Sequence, residues 1–325
     1  MRSLSFTILR LIGDGEFHSG ASLGNKIGLS RASISNGLRG LEQYGVRILK
    51  IRGRGYRWVN PVEWLDKSRI VNYFDKSLEP VHLVLLNSVD STNSYLINNY
   101  GSHLSICNKI PVIATELQTQ GRGRLGRQWH SGLGDSLTFS LRWFYKQGPG
   151  FLSGLSLVVG IAIIRVLHSF GIKELALKWP NDILYRYRKL AGILIELQGE
   201  MQGPTVAVIG IGININLAPN TKHAINRKVS DLFEITGSVI DRNRLLAALL
   251  AELQNVLSNF NQLGFPVFQS EWIRYHAFEG KPVSLVLPNG LSTQGIVDGV
   301  GEDGSLILKT ATGRNRFNVG EISLR

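Results

Sequence analysis

Cysteine is almost absent from this chain of 325 residues, which contains one, Cys107. A lone thiol closes no internal disulfide and has no neighbours at metal-ligand spacing, which excludes a disulfide-stapled scaffold and a cysteine-built metal site. Cys107 is expected to be a small packed or half-packed filler. Long apolar runs are missing too. The longest candidate, Leu152 to Leu167, is broken by Ser153, Gly154, Ser156, Gly160 and Arg165 and falls short of the roughly 20 residues that span a bilayer. It reads as a buried helix, and no membrane partner is expected. The N-terminal apolar stretch is interrupted by Arg10 and followed by Asp14-Gly-Glu16 without a small-residue cleavage site, so no export signal is expected and the cytoplasm is the expected compartment. The seven histidines show no paired metal spacing, and His18 and His130 are expected to be ordinary surface or packing residues.

What is there is a folded composition, 43% hydrophobic and 18% charged, in a chain long enough for two or three domains. Positive charge is uneven. Residues 1–60 hold ten Lys/Arg against three Asp/Glu, so +7 of the net +12 sits in under a fifth of the chain. Such concentration marks a polyanion partner. The same segment reads as a helix over Phe6 to Ile12, a turn at Gly13-Asp-Gly15, a Ser22-led helix to Ile27, and an amphipathic helix from Arg31 to Tyr44 capped by Ser30. Two alternating stretches, Val46 to Ile51 and Tyr56 to Val59, follow around the basic turn Arg52-Gly-Arg-Gly55. Helix-turn-helix plus hairpin describes a winged helix. Ser33, Ser35, Asn36 and Arg39 are its candidate base and phosphate contacts, with Arg52 and Arg54 on the wing.

Pro61 to Asp75 reads as a linker into a helix, and a larger α/β region follows. Val81 to Leu86, Pro111 to Thr115, Leu137 to Trp143, Leu190 to Leu197 and Thr205 to Ile215 are expected strands; Phe151 to Phe170 and Arg242 to Leu263 are expected helices. From Gly280 onward, short alternating segments between glycine turns suggest a small β barrel. The expected class is thus multidomain α/β (α+β): a winged helix over 1–62, a mixed α/β domain over 63–276 and a β barrel over 277–325.

Three segments carry chemistry. Gly121-Arg-Gly-Arg-Leu-Gly-Arg127 has the spacing of a dinucleotide loop, but it holds three arginines and no helix is expected after it, which rejects the Rossmann reading. Its glycines let backbone N–H groups approach an anion, and its guanidinium forks grip phosphate or carboxylate oxygens. Lys178-Trp-Pro-Asn-Asp182 places a cation and a carboxylate within five residues, and Asp182 near phosphates is a candidate Mg2+ ligand. Lys189-Leu-Ala-Gly-Ile-Leu194 puts a lysine at the mouth of an apolar strand, with Gly192 leaving room for a ligand against the backbone.

Together with Asp90-Ser-Thr-Asn93, Trp129, Gly210-Ile-Gly-Ile-Asn214 and Gly320-Glu-Ile-Ser-Leu-Arg325, these segments resemble biotin protein ligases in order and spacing. Gly15-Glu-Phe-His-Ser-Gly20 and Arg54-Gly-Tyr56 resemble the DNA-binding domain of the bifunctional bacterial members, so the resemblance spans essentially the whole chain. It implies a catalytic domain of the biotin/lipoate ligase type, an SH3-like C-terminal barrel, and ATP, Mg2+ and biotin as reactants, with biotinyl-5'-AMP as the bound intermediate. It also implies a biotin carboxyl carrier domain as acceptor, operator DNA as partner, repression of biotin synthesis genes, and a homodimer when adenylate is bound.

By the same resemblance, Ser91, Thr92, Asn93, Gln118, Arg122, Gly123, Arg124, Lys189 and Gly192 would hold biotin. Arg124, Arg127, Trp129, Lys178, Asn181 and Asn214 would hold the nucleotide, and Lys189, Arg122 and Asp182 would carry the chemistry. Family members often have a tryptophan near adenine after the Gly-Ile-Asn strand, whereas Leu217 to Ile240 contains none, which leaves the adenine contact unassigned. The alternatives are a lipoate-type ligase and a ligand-sensing regulator without ligase activity.

Overall fold

A computed structural model of the chain describes residues 1–74, 78–100, 109–199, 203–225 and 227–324. Cys107, Asp75 at the end of the expected linker, and Arg325 of the C-terminal motif lie outside the described residues.

Three helices open the fold: α1 (Ser3–Leu11), α2 (Gly20–Ile27) and α3 (Arg31–Gly37). They are followed by a 3-10 turn at Leu41–Tyr44 and the antiparallel hairpin β1 (Ile48–Ile51) and β2 (Gly55–Trp58). The cap of α2 is Ser19, whose side chain accepts the Ser22 N–H, so the helix starts two residues before the serine expected to lead it. Ser30 caps α3 as expected, accepting the Ser33 N–H at 3.1 Å. The amphipathic run to Tyr44 is not one helix. It stops at Gly37, because Gly40 takes a left-handed conformation (φ 72°) that no helix continues through. Arg39 therefore lies beyond the helix rather than on it. Phe6, Ile8, Leu9, Leu23, Ile34, Tyr56 and Trp58 form the core of this unit, and Leu117 and Leu133 from the following region are buried in the same cluster.

The central region contains α4 (Lys67–Asn72), β3 (Val81–Leu86), α5 (Thr92–Tyr100), β4 (Ile110–Thr115), β5 (Ser136–Tyr145), α6 (Leu155–Ser169), β6 (Leu175–Lys178), β7 (Asp182–Tyr185), β8 (Arg188–Gly199) and β9 (Thr205–Asn214). It then continues through α7 (Pro219–Ala224), α8 (Leu232–Thr236), α9 (Arg242–Leu263) and α10 (Pro266–Tyr275). Its seven strands lie in the order β3-β4-β5-β9-β8-β7-β6; β3 and β4 run parallel and every other pair is antiparallel. Strand alternation makes the two faces chemically different. Phe139, Leu141, Ile209, Ile211 and Ile213 face a core filled by α6 and α9, whereas Thr138, Ser140, Gly210 and Gly212 face the other way. On that second face α5 packs Leu96 against Ile113 and Val208 and sets Asn93 over Gly210, and beyond it lies a floor of small residues. The stretch Pro149–Ser169 is, contrary to the sequence reading, long and apolar enough to cross a membrane by length and composition, but 67% of its most apolar 18-residue window is buried inside the protein, as expected of a buried helix.

The C-terminal unit is a five-stranded antiparallel sheet of β10 (Pro282–Val286), β11 (Ser292–Val300), β12 (Leu306–Thr310), β13 (Gly313–Phe317) and β14 (Glu321–Leu324), ordered β13-β12-β11-β10-β14. Trp179 ties it to the central domain, its indole N–H donating to the Gly304 carbonyl at 3.0 Å.

Candidate active site

The small-residue face of the central sheet is the floor of a cavity of about 570 Å3. Gly192 on β8 and Gly212 on β9 are direct register partners, and the Trp129 ring lies against them. A Cβ on Gly212 would sit 2.5 Å from that ring, so only glycine permits the packing. Trp129 thereby forms one wall, and the Lys189 ammonium lies 5.7 Å from its centroid.

One end of the cavity is a polar shelf at the start of α5. The Gln118 side-chain oxygen accepts from the Thr92 N–H (2.9 Å) and hydroxyl (3.2 Å), while the Ser140 hydroxyl meets Thr92 Oγ1 at 2.7 Å and Asn93 Oδ1 at 2.6 Å. These bonds fix the rotamers of side chains that line the space, with Ser91 beside them.

The arginine-glycine loop forms the roof. Three arginines reach three different elements: Arg122 pairs with Glu196 of β8 at 2.5 Å, Arg124 donates to Asn181 Oδ1 at 3.3 Å, and Arg127 pairs with Glu321 of β14. As expected, no α-helix follows; a 3-10 turn spans Arg124–Gly126, with Leu125 in a left-handed conformation (φ 55°). Burial pushes the Arg124 pKa down, with Glu321 and then Asp182 opposing that shift. Opposite the loop, Lys189 Nζ is 2.7 Å from Asp182 Oδ1. Asn214 donates to the Lys189 and Ser230 carbonyls at 3.3 and 3.0 Å, pinning the start of β8 to the loop before α8.

Every central-domain residue expected to hold a ligand or carry chemistry borders this cavity except Lys178. Lys178 faces Asp182 across the β6–β7 pair; burial lowers its pKa, while Asp182 and Glu321 pull it back up. The sequence reading missed Glu321, Arg227 and the apolar group Ala224, Ile225 and Val229, all of which line the cavity. The Gly320-Glu motif was visible without its placement. Arg227 to Val229 carries no motif and is brought in by pairing: the Lys189 N–H donates to the Lys228 carbonyl, and the Ser230 N–H to the Lys189 carbonyl.

Five cations (Arg122, Arg124, Arg127, Lys189, Arg227) and two carboxylates (Asp182, Glu321) line the space, an excess suited to a ligand with several negative charges. Asp182 fits as one protein ligand of Mg2+, which takes oxygen donors and shares them with substrate phosphates. Among the described residues no group of three His, Cys, Asp or Glu side chains is placed to hold a metal by itself.

Comparison with known proteins accounts for this arrangement. Residues 85–214 match the biotin/lipoate A/B protein ligase family, residues 279–325 the biotin protein ligase C-terminal domain, and residues 5–57 an HTH domain. The bifunctional ligase/repressor BirA of Salmonella typhimurium is 37% identical over 323 residues, covering 99% of this chain and 98% of that protein. The chain belongs to the biotin protein ligase family. Within this family the BirA of Escherichia coli is 36% identical over 318 residues, covering 98% and 96%. The structure of the biotin protein ligase from Aquifex aeolicus in complex with biotin and ATP aligns with a TM-score of 0.63 and 30% identity, over 75% of this chain and 98% of that one. Matching both the HTH unit and the ligase unit, this ligase is of the bifunctional type, a biotin- and ATP-using enzyme with a DNA-binding repressor domain.

In the HTH unit, Asn36, Arg39, Arg52 and Arg54 are exposed, whereas Ser33 and Ser35 are half-buried. The Ser33 hydroxyl is also engaged with Ser30, 3.0 Å away, a local bond that competes with a base contact.

Proposed function

We propose that the cavity activates biotin with ATP and passes it to a lysine of a biotin carboxyl carrier domain. Biotin lies along the polar shelf, its ureido ring held by Ser91, Thr92, Asn93 and Gln118, with Gly192 below and Gly123 above. Its carboxylate oxygen attacks the α-phosphorus of ATP, the bond to pyrophosphate breaks, and biotinyl-5'-AMP forms. Lys189 stands between the carboxylate and the α-phosphate and stabilises the charge that develops there, while Arg122 and Arg124 hold the reacting groups in line. Arg127, Asn181 and Asn214 contact the nucleotide, Lys178 adds positive potential, and Trp129 keeps water from the anhydride. Asp182 with the substrate phosphates would hold Mg2+, which when bound offsets phosphate charge. In the second half-reaction the acceptor amine attacks the acyl carbon and AMP leaves, so no protein nucleophile is needed.

The adenine pairs with the apolar loop. Ile225, Val229 and Ala224 border the cavity, and they supply the contact for which this chain has no tryptophan between Leu217 and Ile240. The winged helix binds operator DNA and represses biotin synthesis genes in the cytoplasm, with the adenylate favouring a homodimer that binds more tightly.

The observation that carries the ligase reading is convergence: segments as distant as Ser91 and Glu321 line one cavity with Lys189 inside it. Incubating the protein with biotin, ATP and a carrier domain and weighing the carrier tests it. One added biotinyl group is expected; an unchanged mass, or transfer of lipoate in its place, would overturn it. Mobility shift of regulatory DNA should tighten when biotin and ATP are added together, and no change would remove the corepressor role.

A further inference from the structure

We propose that Phe17 is a platform that positions two wing arginines, Arg54 and Arg57, as a clamp for the phosphate backbone of duplex DNA. This rests on the DNA-binding reading above and adds two residues that the sequence did not single out.

The Arg54 guanidinium lies 4.2 Å from the Phe17 ring centroid, and that of Arg57 lies 5.8 Å from it. The backbone that carries the ring is part of the wing. The His18 N–H donates to the Tyr56 carbonyl at 2.9 Å and the Tyr56 N–H to the His18 carbonyl at 2.8 Å, so residues around His18 form a third, antiparallel neighbour of β2. In that register Phe17 sits beside Arg57 on the same face, while Tyr56 and Trp58 point into the core. The segment is tied again from outside, with His18 Nε2 2.9 Å from both Asp14 carboxylate oxygens, and on its far side Ser19 caps α2.

The geometry leaves the arginines free to act. Both side chains are exposed, and among the described residues no carboxylate pairs with either, in contrast to Arg122, Arg127 and Arg165. A guanidinium lying against an aromatic ring is oriented while its N–H donors remain available at its edge, where phosphate oxygens accept them. Rotamer freedom already lost to the ring is not lost again on binding. Arg52 at the tip of the hairpin adds a further exposed cation. The chemistry recognised is a run of phosphodiesters, whose oxygens can accept from two neighbouring guanidinium forks at once whatever the base sequence.

Fluorescence anisotropy of the full-length protein on a labelled mixed-sequence duplex, across a salt series, tests the assignment. Phe17→Ala and Phe17→Leu should each weaken binding by about threefold to tenfold and reduce the slope of log affinity against log salt by up to about 0.9 for each phosphate that is no longer neutralised. Phe17→Tyr should bind within about twofold of wild type. Phe17→Leu keeps the apolar bulk, so its loss of affinity separates the ring face from packing, and far-ultraviolet dichroism checks that the helices persist. In a double-mutant cycle, Phe17→Leu should have little further effect once Arg54 and Arg57 are both alanine. Full affinity and slope in Phe17→Leu, or additivity in the cycle, would overturn the platform while leaving DNA binding in place. Absence of salt-dependent binding by the wild type would instead remove the DNA-binding reading and the platform with it.

Discussion

Lys189 is held between an anion and an aromatic ring, 2.7 Å from Asp182 and 5.7 Å from the Trp129 centroid. A cation placed in advance where negative charge develops is the costliest group to remove from such a site. Lys189→Ala should lower biotin-dependent exchange of pyrophosphate into ATP by about 10²- to 10³-fold with the fold intact, and near-normal exchange would deny it that role. Asp135 makes a different prediction. It is buried and accepts from Thr221 at 2.7 Å and Ser136 at 3.2 Å; burial pushes its pKa up and these hydrogen bonds only partly counter the rise. With a folded pKa above the unfolded one, the native state binds the extra proton, so this group adds stability as pH falls through its folded pKa. Asn mimics the protonated carboxyl, so Asp135→Asn should match the wild type in acid and have the higher thermal midpoint at neutral pH, where the wild type must keep a buried charge. Parallel midpoint curves would mean that Asp135 is ionised throughout. At this scale the sequence pointed to side chains that the structure gathers around one cavity, because charged and glycine residues clustered in short segments stand out locally. It did not show Arg227 or Ile225, whose contribution depends on where a motif-free loop lies.

Among elements, the arginine loop is fastened at several points, and its link to the C-terminal unit is the Arg127–Glu321 pair. The two side chains are 43% and 30% exposed, so the pair is worth at most about 1 kcal/mol. Glu321→Gln should therefore speed release of biotinyl-5'-AMP by about twofold to fivefold, read in a chase with unlabelled biotin and ATP. An unchanged rate would show that the pin does not hold the roof down. Several strand and helix assignments followed local pattern, although the amphipathic run from Arg31 to Tyr44 broke at Gly37. Val81–Leu86 and Arg242–Leu263 match their expected bounds, since each has enough turns or alternations to define a period. Leu175–Lys178 and Asp182–Tyr185 were not foreseen as strands: four residues hold too few alternations, and their pairing with each other and with β8 supplies the stability that local preference lacks. Helix α5 escaped for a related reason. Its sequence, TNSYLINNY, is polar, and it buries Thr92 and Asn93 through hydrogen bonds rather than through an apolar stripe.

On the scale of the whole molecule, the DNA-binding unit and the ligase site share structure. Leu117 and Leu133 flank the segment that holds Gln118 and the arginine loop, and both are buried in the winged-helix core; the Leu133 N–H also donates to the Tyr44 carbonyl at 2.8 Å. Leu133→Ala removes packing that serves both units. It should destabilise the protein by about 2–4 kcal/mol and also shorten retention of biotinyl-5'-AMP. Leu38→Ala, in the same core but away from the loop, should lower stability without the second effect. Equal retention in the two variants would uncouple the units.

Charge distribution and local pattern were sufficient to expect a DNA-binding unit and an anion-handling loop, because those features reflect chemistry that needs no partner in space, and the ligase followed from the resemblance carried by the order of short motifs. Where the motifs meet was decided only by the tertiary structure. Register pairs Gly192 with Gly212 so that Trp129 can lie on both, β8 pairing carries Val229 to the cavity, and a docked sheet delivers Glu321 to Arg127. Each is a meeting of residues far apart in the chain, set by packing and strand register, which no local pattern encodes.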